Sequence, residues 1–166
     1  MKPRMFSSPR KFVPAGFYGV IVVLLATIAA SVPAFAALGE DSSSVQSDVA
    51  HMQGSLRITQ GQAFTVHEIA AATGATVREY ASPSGKIFAV AWQGPWLPNM
   101  RQLLSSYFAQ YEQALQVSSP GPAGRRPLLI EQPGLVVQSG GHMRSFSGRA
   151  YIPQMMPQGV RAEGIR

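Results

Sequence analysis

The stretch TVHEIAAATGATVREYASPSGKIFAVAWQGPW, residues 65–96, decides the fold. Within and beside it, FTVHEIA (64–70), TVREYA (76–81) and KIFAVAW (86–92) are short runs rich in β-branched and aromatic residues, bounded by turn signals. Such runs read as strands. Ser82-Pro83-Ser84-Gly85 has Ser at i, Pro at i+1 and Gly at i+3, the pattern of a type I turn. Gly74 stands where a left-handed residue closes a three-residue loop.

These two turns set an expected register. A loop of Ala72, Thr73 and Gly74 places Glu68 opposite Arg78, His67 opposite Glu79 and Val66 opposite Tyr80. A loop of Pro83, Ser84 and Gly85 places Tyr80 opposite Phe88, Arg78 opposite Val90 and Thr76 opposite Trp92. Glu68–Arg78 and His67–Glu79 then lie on opposite faces, since neighbours on a strand alternate. Cross-strand pairs of this kind contribute roughly 0.2–1 kcal/mol each. Sheet stitching accounts for these polar residues without chemistry.

The flanking elements complete an α+β domain. PNMRQLLSSYFAQYEQALQ (98–116) carries Met100, Leu103, Leu104, Tyr107, Phe108, Tyr111 and Leu115 on one helical stripe, which predicts one long amphipathic helix covering a face of the sheet. EDSSSVQSDVAHMQG (40–54) predicts a short N-terminal helix: Ser residues cap it, Val45, Val49 and Met52 share a face, and Gly54 ends it. PLLIEQ (127–132), LVVQS (135–139) and HMRSFSGRAYI (142–152) predict further strands, with turns at Pro133-Gly134 and Gly140-Gly141. The C-terminal PQMMPQGVRAEGIR reads as an irregular tail or a short helical turn, and SSPGPAGRR (118–126) as a flexible internal loop. The expected architecture is an antiparallel sheet of about five to seven strands packed against the long helix.

Residues 1–36 carry the parts of a secretory signal peptide. Lys2, Arg4, Arg10 and Lys11 form a basic start, FYGVIVVLLATIAA (17–30) an apolar core, and Ala34-x-Ala36 a small-residue cleavage site. The apolar run falls short of the roughly 18–20 residues of a membrane span. Cleavage after Ala36 predicts a periplasmic or secreted domain, residues 37–166, that meets the membrane only before cleavage. Ten of the 14 Lys and Arg and all eight Asp and Glu lie beyond Ala36, so the net charge there is only +2. The basic character belongs largely to the leader, and nucleic-acid binding loses its support. There is no Cys, and a domain of 130 residues buries enough surface to do without disulfides.

Motifs of known chemistry fail on inspection. His67-Glu68 begins like a zinc helix, but residue 71 is Ala and the local pattern is β. SPSGKI (82–87) lacks the first Gly and the Ser/Thr of a phosphate loop, and SFSGR (145–149) lacks the first Gly of a nucleophile elbow. His51, His67 and His142 lie in separate elements, which argues against a metal site, and nothing points to a cofactor. Two features fit a ligand surface: Trp92 and Trp96 flanking a Gly-Pro turn, and His142 with Arg144 at a Gly-rich tip.

TVREYASPSGKIFAVAWQGPWLPNMRQLL (76–104) and GLVVQSGGHMRSFSGRAYIPQMMPQGV (134–160), with AFAALG (34–39) at the cleavage site, resemble the domain of unknown function 2844 family. The resemblance implies an exported single-domain protein and carries no activity, ligand or site residue. The functional expectation is a non-enzymatic exported binding module contacting an envelope protein or glycan. The alternative is a small periplasmic hydrolase with His67 or His142 as base. Intact-mass measurement of protein recovered from periplasm or medium should give Ala37 as the first residue; a mass retaining residues 1–36 contradicts export by cleavage.

Overall fold

The computed structural model describes residues 38–117 and 127–166; the leader and the 118–126 loop lie outside the described residues. Seven strands form one antiparallel sheet: β1 (Ser55–Gln60), β2 (Thr65–Ala70), β3 (Thr76–Ala81), β4 (Ile87–Gly94), β5 (Leu128–Gln132), β6 (Leu135–His142) and β7 (Ser145–Tyr151). Their order across the sheet is β1-β2-β3-β4-β7-β6-β5. β4 is central, and its residues Ile87–Trp92 are buried on both faces, which suits the near-continuous apolar run of this segment.

The two faces are covered differently. On one, Ile69, Val77, Ile87, Val90 and Val137 pack against Leu38, Leu103, Leu104, Tyr111 and helix α1 (Val45–His51). On the other, Tyr80, Phe88, Ala89 and Ala91 pack with Phe64, Val66 and Tyr151 beneath the C-terminal tail, whose Ile165 is 2 % exposed. The tail is irregular, with 3-10 turns at Pro153–Met155 and Ala162–Gly164. Polar side chains hold it down. The Tyr80 hydroxyl donates to the Arg166 carbonyl at 2.7 Å, and Arg149 Nη1 donates to the carbonyls of Ala162 and Ile165.

The β2–β3 hairpin has the expected register, with His67 opposite Glu79, Glu68 opposite Arg78 and Val66 opposite Tyr80. The β3–β4 hairpin begins as expected, with Ser82 N–H donating to Lys86 O and Ala81 opposite Ile87. The register then shifts by one: Tyr80 faces Ala89, Arg78 faces Ala91 and Thr76 faces Gln93. The cause is a bulge at Tyr80/Ala81 that leaves Phe88 without an opposite residue. The bulge puts Phe88 and Ala89 on the same, tail-covered face, where the Phe88 ring meets those of Tyr80 and Phe64.

Two other expectations need correction. The single helix over 98–116 is instead α2 (Met100–Leu104), a 3-10 turn (Ser105–Tyr107) and α3 (Phe108–Val117). Asn99 caps the start through Oδ1. Ser105 breaks the helix at φ 43°, and its hydroxyl donates to Glu40 Oε1 at 3.3 Å. The break re-phases the apolar stripe, so Leu103, Leu104, Tyr111 and Ala114 are buried while Leu115 is 37 % exposed. Gly140-Gly141 lies inside β6, and the turn is Met143-Arg144, with Arg144 at φ 64°. A Cβ on Gly141 would collide with the Ser145 carbonyl oxygen, so this glycine serves strand approach and not the turn. The sequence pattern does not predict β1, which enters as an edge strand on β2.

Leu104 is fully buried and Phe108 only partly so, against Arg101 with the guanidinium 4.3 Å from the ring centroid. Leu104→Ala should therefore cost about 2–5 kcal/mol through lost burial and a cavity. Phe108→Ala should cost roughly 1–2 kcal/mol and Gln110→Ala within about 0.5 kcal/mol. Denaturant titration of the three variants checks the order, and equal losses would contradict this helical phase.

Candidate functional site

The polar residues of β2 and β3 separate into two unlike sets. Glu68 and Arg78 form an ion pair, Nε to Oε2 at 2.6 Å, with each side chain 31 % exposed. Arg78 Nη1 also reaches the Arg166 carbonyl at 3.1 Å, tying the pair to the tail. This is the stitching that the turns imply.

His67 and Glu79 do not form an ion pair. Glu79 is fully buried, and its carboxyl is pushed up to about 9, by burial first and then by the charge and hydrogen bonding of Asp48. Burial also raises Asp48, on α1, against the opposing hydrogen bonds from Gln102 and Glu79. Gln102 Nε2, from α2, donates to Asp48 Oδ1 at 2.6 Å. No N–H or hydroxyl reaches Asp48 Oδ2 or either Glu79 oxygen. The hydrogen bond left to them is one between the two carboxyls, made by a proton on Glu79, because like charges at such a site cannot both ionise cheaply. Burial depresses His67 below the usual imidazole range, so it is neutral beside a neutral acid. Its Nδ1 has no partner, and no hydroxyl is hydrogen-bonded to it. The cluster joins α1 and α2 to the sheet, and no hydroxyl is bonded to it.

Sequence reasoning misses Asp48 and Gln102 in this role. The signal for Asp48 is present: with Val45, Val49 and Met52 it completes an i, i+3, i+4, i+7 set, so an acid stands on the apolar stripe. Among the described residues no three His, Asp or Glu gather as metal ligands would.

Of the four expected ligand residues, Trp92 is buried, Trp96 lies in the loop after β4, and His142 and Arg144 lie at the β6–β7 turn. Trp92 is 3 % exposed in β4, and its ring lies where a Cβ on Gly148 would stand. Trp96 is 61 % exposed in the loop before α2, so the two Trp form no common platform. His142 ends β6, and Arg144 sits in the β6–β7 turn beside Met143, which is 89 % exposed.

A groove of about 600 Å³ lies elsewhere, along β5, β6, β7 and β4, and of those four residues only Trp92 helps line it. Strand alternation places Leu129, Gln138, Ser147, Arg149 and Gln93 on the tail-covered face, and Ile165 and Arg166 close one side. Arg149 is oriented by Gln138, its Nε donating to Oε1 at 2.7 Å. The lining includes no His, Asp or Glu.

A seven-stranded antiparallel sheet with helices on one face and a tail strapped across the other defines a small α+β domain. The chain belongs to the family described as protein of unknown function (DUF2844), whose profile matches residues 34–165. No curated protein and no solved structure matches it.

The neutral Glu79 has a testable sign. A folded-state value above the unfolded one means that the folded protein binds the extra proton. That stabilisation is complete at acid pH and is lost as pH rises toward about 9. Between about pH 6.5, above which the imidazole is largely neutral in either state, and about 9, wild-type stability should fall. Glu79→Gln, which keeps a donor toward Asp48, should flatten that slope. Thermal unfolding across this window checks it, and parallel slopes in both proteins would contradict a neutral Glu79.

Proposed function

We propose that this protein is an exported, non-enzymatic binding module of the periplasm or secreted fraction that contacts an envelope protein or glycan through the β4–β7–β6–β5 groove. The carrying observation is the separation of groove and titratable cluster. The groove wall contains no acidic or imidazole side chain, the groups that general acid–base catalysis most often uses within hydrogen-bond reach of the substrate. Of the two hydrolase candidates, His67 is buried with no partner at Nδ1, and His142, at the end of β6, does not line the groove.

Export is supported by the leader's composition, and cleavage after Ala36 is compatible with the described fold. Leu38 is fully buried and its N–H donates to the Leu103 carbonyl at 3.1 Å, so a cut after Ala36 keeps this anchoring residue. Ser147 is exposed within the groove wall, where a larger side chain fills the groove without entering the core. The immobilised protein should retain specific material from an envelope extract, and Ser147→Trp, with unchanged melting temperature, should lose it. Equal capture by both proteins would contradict the groove as the binding surface.

A further inference from the structure

We propose that the groove receives a small organic oxyanion, a carboxylate- or phosphate-bearing molecule of about sugar size, through Arg149 and Arg166. This deepens the binding-module reading and rests on it. Size is the first constraint: about 600 Å³ lies inside the range typical of small-molecule sites.

Charge is the second. Arg149 is part-buried, and every acceptor that orients it is neutral: Gln138 Oε1 and the carbonyls of Ala162 and Ile165. All eight Asp and Glu lie among the described residues. The ion pairs there are Arg78–Glu68 and Arg101–Glu112, so no Asp or Glu side chain pairs with Arg149. Arg78 is the internal contrast, a guanidinium of similar environment already paired at 2.6 Å. Arg166 adds a second charge at the same wall; its Nε donates to the Glu163 carbonyl at 3.2 Å, and its terminal nitrogens bond to nothing among the described residues.

Chemistry is the third. A partly desolvated charge without a counterion is unfavourable, and an oxyanion relieves it. A guanidinium held rigidly by neutral oxygens keeps its remaining N–H groups aimed, and its planar fork matches carboxylate and phosphate oxygens alike. Arg149 has Nη2 free for this, because Nε and Nη1 hold Gln138 and the tail. Gln93, Gln138 and Ser147 can bond hydroxyls of the same ligand, and Leu129 can cover its carbon skeleton.

Three probes on one sugar frame test the claim: glucuronate, glucose 6-phosphate and glucose, titrated while following the Arg149 Nε–Hε and the Gly140, Ser147 and Gly148 amide NMR signals. Both anions, or one of them, should shift these signals saturably; whichever binds tighter identifies the oxyanion. Glucose should do so at least about tenfold more weakly, and higher salt should weaken the anions. Arg149→Gln should lose at least tenfold in anion affinity. If that variant unfolds because Arg149 also holds the tail, Arg166→Gln should weaken the anions about threefold at unchanged melting temperature. Glucose shifting the groove as strongly as the anions overturns the oxyanion claim and leaves the binding module standing. No groove shift with any probe, while Ser147→Trp still abolishes envelope capture, overturns the oxyanion alone; no shift together with capture indifferent to Ser147→Trp removes both readings.

Discussion

The proton held by Glu79 is the interaction on which the helical side of this domain depends. Asp48 and Glu79 are both fully buried, one on α1 and one on β3. Two carboxylates in that position would repel and would each lack water, at a cost that no burial of neighbouring apolar side chains could readily offset. With the proton on Glu79, the same two groups become donor and acceptor. Gln102 then bonds the other Asp48 oxygen, so one small polar knot joins the first helix, the second helix and the sheet. Leu38, Val45, Leu103 and Leu104 pack in the same helix-side core. Apolar burial supplies most of the driving force there, and the polar knot fixes the seating of the helices.

The opposite face is organised by a different device. The β3–β4 bulge places Phe88 and Ala89 on one side together, and the aromatic group of Phe64, Tyr80 and Phe88 gives the tail a surface to cover. Tyr80, Arg78 and Arg149 then take up tail carbonyls, so these backbone groups are satisfied without an eighth strand. Arg149 has two roles: it anchors the tail on neutral oxygens and brings an unneutralised charge to the groove wall. In the proposed reading, function and architecture meet in that side chain.

Much of this is legible in the residues. Turn chemistry gives the β2–β3 register residue by residue, because Gly74 sits at φ 82° and the three-residue loop admits one pairing. The short first helix is readable from its apolar spacing, but the expected serine cap is not: Ser44 makes no side-chain capping bond, and Asp41 accepts from Ser43 N–H one turn earlier. The Phe88 bulge is not, since the turn sets only the first pairs and aromatic packing sets the register of the rest of the hairpin. The helix break at Ser105 is masked by a stripe that looks continuous across two serines. β1 is hidden because an edge strand with one half-buried residue, Leu56, has almost no hydrophobic alternation. The turn places His67 and Glu79 opposite each other correctly, but sequence spacing cannot report desolvation, and desolvation makes both neutral. The groove is invisible in the sequence because Gln138, Arg149 and Arg166 come from separate elements and meet only through the sheet order.

The protonation state of Glu79 is the most direct test. A carbon-13 NMR titration of its side-chain carboxyl, assigned by comparison with Glu79→Gln, reads it without reference to stability or ligand. The carboxyl should remain neutral at pH 7 and titrate near 9. A Glu79 carboxylate already ionised at pH 6 would contradict the polar knot, and with it the separation of a structural acid pair from the proposed binding groove.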